Sequence, residues 1–111
     1  MGKPSSRLTH VDWKGKVSVI MPAFNEEATI QDVIRRTKKL FPDIVIVNDH
    51  STDKTASIAL RMGARVVRNP NARGRGQAVL QGIRVARKPI LVTLMPMVSI
   101  PPRRLFAFST L

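Results

Sequence analysis

Arg73-Gly74-Arg75-Gly76 is the stretch of this sequence best suited to phosphate. Glycine amides at a helix start, with a guanidinium beside them, suit phosphate oxygens. The first-turn N–H groups have no intrahelical acceptor, and the helix dipole favours anions there. The stretch is neither of the common glycine loops. Val79 stands where a dinucleotide loop has its third glycine, and the Lys-Ser/Thr of a P-loop is missing. Taken alone, it reads equally as a basic helix start on a surface. Charge is one-sided around it. All seven acids lie at or before Asp53, whereas residues 54–111 carry eleven bases and no acid. That asymmetry fits an anionic partner: nucleic acid, a phosphorylated small molecule or an acidic membrane surface. It fits a plainly basic surface as well.

The elements that would carry this stretch follow from periodicity. Residues 17–21 are a β-rich apolar run ending at Pro22, which reads as a buried strand. Asn25 suits an N-cap, with Glu26 and Glu27 in a first turn where the dipole favours acids. Ile30, Val33, Ile34, Thr37 and Leu40 recur at helical spacing until Pro42. Residues 44–47 make a second strand, and residues 48–51 are turn chemistry. A second helix is expected over about 53–62, with Gly63 at its C′ position. Residues 64–67 form a third strand, 69–71 a loop, 74–86 a third helix and 90–94 a fourth strand. The order βαβαβαβ predicts an α/β fold, a parallel sheet with flanking helices. In such sheets ligands sit beyond the C-terminal ends of the strands, where the strand order reverses. The residues there are 22–26, 48–53, 68–76 and those from Met95 onward.

A length of 111 residues allows one domain. With no cysteine there is neither a disulfide framework nor a thiolate metal site. A 43% apolar content is too high for a disordered tail. The longest uncharged run, residues 89–102, is shorter than the ~20 residues of a membrane span and is broken by Pro96. The N-terminus has no apolar stretch of the kind a secretory signal needs.

Four segments in register, VSVIMPAFNEEATI (17–30), VIVNDHSTDKTASIA (45–59), GARVVRNPNARGRGQAVLQGI (63–83) and ILVTL (90–94), resemble the start of the family-2 nucleotide-sugar glycosyltransferases. The branch most similar is the polyprenyl-phosphate, dolichol-phosphate mannosyltransferase-like group. The resemblance implies the Rossmann-like half of a GT-A fold, ending here after the fourth strand. It also implies transfer of a sugar from a nucleotide diphosphate donor, with Mg²⁺ or Mn²⁺ bridging the diphosphate in the intact family. Carried over by position, Pro22, Phe24 and Glu26 would line the nucleoside pocket. Glu26 would accept from ribose or base. Asp49 would bond the base, with Val47 beside it as a backbone contact. Arg73, Gly74, Arg75 and Gly76 would face the diphosphate. On the residues alone, Asn25, Glu26, Asp49 and Asp53 also suit cap and turn duties, and for Asp53 that is the expectation. His50 stands where the family has glycine and is expected to be merely solvated.

The family pattern breaks after the fourth strand. An Asp-x-Asp is usual there, because a cation held by carboxylates must neutralise the leaving diphosphate. This chain reads Met95-Pro96-Met97-Val98-Ser99 instead, so no protein ligand for the metal is expected in it. A family-like CTG GAT GCC GAT GGT CAG CAT CCC GCC G that loses one G after CTG translates as Leu-Met-Pro-Met-Val-Ser-Ile-Pro-Pro, the sequence of residues 94–102. A shifted frame near residue 95 is therefore expected, and an open second frame in the genomic DNA would confirm it. The alternative is a divergent short protein in which Met95 and Met97 pack as core. The expected segments are an N-terminal extension (1–15), the nucleotide-binding part (16–94) and an aberrant tail (95–111). The family's catalytic base would lie further downstream, so no catalytic residue is assigned and the chain itself is expected not to turn over. Expected partners are a nucleotide-diphosphate sugar and a polyprenyl-phosphate acceptor at a membrane surface, with a cytoplasmic or membrane-peripheral location. The alternatives are a small basic nucleic-acid-binding protein and a non-catalytic partner lending its basic face to another subunit or to anionic lipid. With 5% aromatic residues and no groove-reading motif, nucleic acid is the weaker of the readings.

Overall fold

The structure is a computed structural model and describes residues 13–95. The expected segments 1–15 and 95–111 therefore lie outside it, save residues 13–15 and Met95. A 3-10 turn (Lys14–Lys16) leads into β1 (Val17–Ala23), α1 (Ile30–Lys38), β2 (Asp43–Asn48), α2 (Thr55–Arg61), β3 (Arg65–Arg68), α3 (Arg75–Val85) and β4 (Ile90–Thr93). The strands form one parallel sheet in the order β3-β2-β1-β4. The predicted alternation and parallel pairing are thus present.

β1 is buried along its whole length, which is why its sequence is nearly continuous apolar rather than alternating. The period of two reappears in which face each residue serves. Val17, Val19, Met21 and Ala23 pack with Ile30, Ile34, Ile44, Ile46 and Ala59 under α1 and α2. Ile20 joins Val45, Val47 and Ala78 under α3 on the other face. The chain steps outward from β1 to β3, then crosses back to lay β4 beside β1. With crossovers of one hand, that reversal puts α3 on the opposite face.

Gly82 is what lets α3 lie so close to the sheet. A Cβ there would stand 2.3 Å from Ile20 Cγ2 and 3.1 Å from Val47 Cγ2. At the N-terminal end of the strands, Arg65 Nε and Nη2 donate to Asp43 at 3.0 and 3.1 Å, and Arg65 Nη1 donates to the Val85 carbonyl at 3.1 Å. Ser18 Oγ donates to the same carboxylate and accepts from the Lys88 amide. One buried-edge cluster therefore ties β1, β2, β3 and the α3–β4 connection together.

Several boundaries differ from the sequence expectation. α1 starts at Ile30, not at Asn25, which sits in the left-handed region at φ 51°. Glu26 and Glu27 therefore lie in a preceding turn, in which the Thr29 and Ile30 amides donate to the Glu26 carbonyl. α2 starts at Thr55, β3 is shifted by one residue to Arg65–Arg68, and β4 ends at Thr93. β1 runs on through Pro22 to Ala23. This costs the proline nothing. Ile20 accepts from Leu94 on the β4 side and Ala23 accepts from Asp49 on the β2 side, so by alternation residue 22 faces β4. The β1–β4 ladder has already stopped at Ile20↔Thr93, so no ladder donor is needed there.

Candidate functional site

The early end of β4 leaves a gap beside the last residues of β1, and this is the point where the strand order reverses. A cleft of about 380 Å³ opens there, lined by Pro22, Ala23, Phe24, Glu26, Asp49, Arg73, Gly74, Arg75 and Met95. That volume is in the range of small-molecule sites. Each lining residue comes from the C-terminal end of a strand or the loop after it, except Arg75, which opens α3. Of the residues expected at the site, seven line the cleft: Pro22, Phe24, Glu26, Asp49, Arg73, Gly74 and Arg75.

Gly76 lies in the first turn of α3, exposed and outside the lining. Val47, expected as a backbone contact, keeps its side chain out of the cleft lining. It is fully buried, with its side chain packed against Ile20 and Ala78 beneath α3 and a methyl 3.1 Å from where a Gly82 Cβ would stand. Strand alternation turns that side chain into the core, so it underlies the cleft without reaching it.

The two loops that form the acidic side are zipped together. The Asn25 amide donates to Ser51 Oγ at 3.0 Å, and the Thr52 amide donates back to Asn25 Oδ1 at 2.8 Å. The Glu26 amide donates to Thr55 Oγ1 at 2.8 Å, and the Glu27 amide to Asp53 Oδ2 at 3.2 Å. The Lys54 amide completes the exchange, donating to Glu27 Oε1 at 3.3 Å. This reciprocal bonding pulls residues 24–27 away from α1, which explains why Asn25 does not cap it. Asp53 does the turn duty expected of it, accepting from the Thr55 amide at 2.9 Å and from the Thr55 hydroxyl. Burial pushes its carboxyl up, but these bonds and the Glu27 amide outweigh that and hold it below the usual range.

Asp49 holds the opposite wall. It is 6% exposed, and its carboxylate accepts from Asn69 Nδ2 at 2.8 Å and from the Gly74 amide at 3.1 and 3.2 Å. Asn69 is 1% exposed and also donates to the Ala72 carbonyl and accepts from the Asn71 amide. Asp49 is thus the clamp that fixes loop 69–74. His50 is not merely solvated. It takes φ 68°, and its Nε2 donates to the Asn71 carbonyl at 2.6 Å. Left-handed backbone explains why glycine suits that position. Ser51, Thr55 and Asn69 are site-forming residues that the sequence reading passed over. The only signal for them was their side-chain type in turn positions, since Ser51 and Thr55 accept from backbone amides of a distant loop and Asn69 reaches the Asp49 carboxylate across loops.

The cleft is polarised. Glu26 Oε1 is buried with no hydrogen-bond partner among the described residues. Burial raises the Glu26 carboxyl above its usual range; the Asp53 charge adds to this, and a bond from the Phe24 backbone and the Arg75 charge oppose it. Arg73 and Arg75, on either side of the clamped Gly74, line the same cleft, and the Arg75 charge acts on the Glu26 carboxyl. The Arg73 guanidinium lies 4.1 Å from the Phe24 ring centroid, a cation–π contact that holds it at the rim. The cleft can therefore both accept from N–H or O–H groups and bind an anion.

Glycosyl transferase family 2, as a family model, matches residues 18–94. An uncharacterised protein of Methanocaldococcus jannaschii is 39% identical over 87 residues, covering 78% of this chain and 35% of that protein. The undecaprenyl-phosphate 4-deoxy-4-formamido-L-arabinose transferase of Pseudomonas aeruginosa is 34% identical over 102 residues, covering 80% of this chain and 30% of the enzyme. Among solved structures, glucosyl-3-phosphoglycerate synthase from Mycobacterium tuberculosis in complex with Mn²⁺, UDP and glucosyl-3-phosphoglycerate superposes with a TM-score of 0.67. It is 32% identical over 73% of this chain and 33% of that one. The chain thus spans about a third of the length of the relatives it matches. The likeness bears out the expected fold, the Rossmann-like half of a GT-A glycosyltransferase. No helix among the described residues is long and apolar enough to cross a membrane.

The residues present do not fit the divalent metal of such relatives. Among the described residues no three His, Cys, Asp or Glu side chains gather as a metal site. The cleft has two carboxylates, Glu26 and Asp49, and those of Asp49 are taken by Asn69 and Gly74. The position following β4 that lines the cleft is Met95, and no acid follows Asp53 in the sequence.

Proposed function

The chain belongs to glycosyl transferase family 2, and from that premise we propose that its cleft binds the nucleoside diphosphate portion of an activated sugar. The observation that carries this is the mixed polarity of the cleft lining: an unpartnered, buried carboxylate oxygen on Glu26 together with Arg73 and Arg75. A nucleoside diphosphate has that same polarity, with hydroxyl and N–H donors at one end and anionic oxygens at the other. Phe24 and Pro22 give the nucleoside an apolar wall. In this reading Glu26 accepts from ribose or base, Asp49 and Val47 shape the base end, and Arg73, Gly74, Arg75 and Gly76 receive the diphosphate.

The protein in which this cradle operates transfers the sugar to a hydroxyl or phosphate acceptor. The Pseudomonas relative, by its name a transferase acting on undecaprenyl phosphate, supports a polyprenyl-phosphate acceptor at a membrane surface. The chain spans about a third of the relatives it matches, so donor binding is the step assigned to these residues.

Calorimetric titration with UDP, GDP and inorganic diphosphate tests the proposal. Saturable binding of a nucleoside diphosphate, tighter than that of diphosphate alone, is expected. Glu26→Ala should erase the difference, a loss of roughly tenfold for one buried charged acceptor. Binding that ignores the nucleoside, extends to duplex DNA and falls steeply with salt would refute it in favour of a basic nucleic-acid-binding surface.

A further inference from the structure

Resting on that reading, we infer that this cleft holds the diphosphate with Arg73, Arg75 and the N-terminus of α3, without a divalent cation. Three observations converge. First, the carboxylates that could hold a metal are committed or missing. Asp49 is spent on Asn69 and Gly74, Glu26 is the single other acid in the lining, and Met95 follows β4. A hard cation on a nucleotide is held by one or two carboxylates besides phosphate oxygens and waters; here that of Asp49 is committed, Glu26 is assigned to the nucleoside, and the Met95 thioether is no ligand for it.

Second, the positive charge a metal would bring is already present on side chains. A sugar-linked diphosphate carries two negative charges, and two guanidiniums line the same wall of the cleft. Arginine pairs with phosphate oxygens through two parallel N–H bonds and cannot deprotonate. α3 is eleven residues long, and its N-cap is Gly74, which has no side chain to cap the first turn. Its leading amides and the positive end of its dipole are therefore left for an anion.

Third, the arginines are held in place. Gly74 between them is fixed by both oxygens of Asp49, and Arg73 rests on the Phe24 ring at 4.1 Å. The negative charge of Asp49 is thus used to hold the loop that carries two cations into the cleft. Metal in solution should then give no advantage. Mn²⁺ bound to the free nucleotide neutralises the oxygens that the arginines need.

The test is titration of the chain with UDP and GDP, in EDTA and in saturating Mn²⁺, for the unaltered chain, the Arg73→Ala/Arg75→Ala double variant and Arg84→Ala. Arg84 is exposed on α3 outside the cleft. Expected are a Kd in Mn²⁺ equal to or weaker than that in EDTA, a loss of more than about tenfold in the double variant, and no change in Arg84→Ala. Far-UV circular dichroism should match for all three chains. A gain of tenfold or more from Mn²⁺, or full binding by the double variant, overturns the inference while leaving nucleotide binding standing. Failure of every nucleoside diphosphate to bind in either condition overturns the proposed function and this inference with it.

Discussion

Replacing Asp49 by alanine separates two roles for one carboxylate. If it clamps loop 69–74, its loss is a stability event first and a binding event second. If it touches the nucleotide base directly, only binding changes. The structure gives it two donors, the buried Asn69 amide at 2.8 Å and the Gly74 amide at 3.1 Å. Hydrogen bonds to a charged group contribute about 1.5–3 kcal/mol each. Two effects reduce the sum. Asn69 Nδ2 keeps the Ala72 carbonyl at 3.2 Å, and Gly74 is only partly buried, so water can reach its freed amide. A net loss of about 2 kcal/mol remains. For a domain of this size that corresponds to a fall in Tm of roughly 10 °C. Thermal and urea unfolding followed by circular dichroism reads it without any ligand. Asn69→Ala and the double variant complete a cycle in which the two side chains should couple by about 1 kcal/mol, since they share one bond. A Tm that stays within about 2 °C of the unaltered chain, with nucleotide binding lost, would refute the clamp.

Gly82→Ala should destabilise the chain by about 1–2 kcal/mol, because the 2.3 Å approach to Ile20 forces α3 off the sheet and outweighs alanine's better helix propensity; urea titration reads the shift in midpoint. Burial raises the Glu26 carboxyl above its ordinary 4.5, so its stabilising contribution is complete below that pH and disappears as pH rises through the raised value. Glu26→Gln should therefore be the more stable chain at neutral pH, with the gap closing on acidification; equal stabilities across pH 4–8 would contradict this. Asp43 has the opposite sign: burial pushes it up, but bonds from Arg65 and Ser18 bring it below its ordinary 3.8. Its contribution is present above that pH and is lost as pH falls through the lowered value. Asp43→Asn should flatten the acid limb of the stability profile and lower stability at neutral pH, both measurable by urea unfolding across pH.

The alternation of strands and helices was legible because β1 and β2 are buried on both sides and so read as unbroken apolar runs. The cleft lining was legible for a topological reason. Once the strands are parallel, the residues after them must share one rim, and motif positions 22–24, 26, 49 and 73–75 fall there. The bonding of the loops was not legible. Asn25 has the side chain of an N-cap and the right place before a helical period, yet its oxygen goes to the Thr52 amide, 27 residues away in the chain. Propensity describes a residue's neighbours in sequence, whereas this competition is settled by a neighbour in space.

The disposition of the acids argues for where a ligand must go. Asp32 pairs with Arg35 and Arg36 on the surface of α1. Asp43 is used by Arg65 and Ser18, Asp53 by Thr55 and the Glu27 amide, Glu27 by the Lys54 amide, and Asp49 by Asn69 and Gly74. Each therefore has a partner within the fold. Glu26 alone among these acids keeps a buried carboxylate oxygen without one. Leaving such an acceptor buried and unmatched costs about 1–3 kcal/mol, a cost that a donor arriving in the cleft removes. The charge on loop 73–75 then decides what else that donor carries. A neutral nucleoside would leave two guanidiniums facing an empty wall, and a bare phosphate would leave Glu26 unmatched, so the full complement is met by a molecule with hydroxyl or N–H donors at one end and a diphosphate at the other.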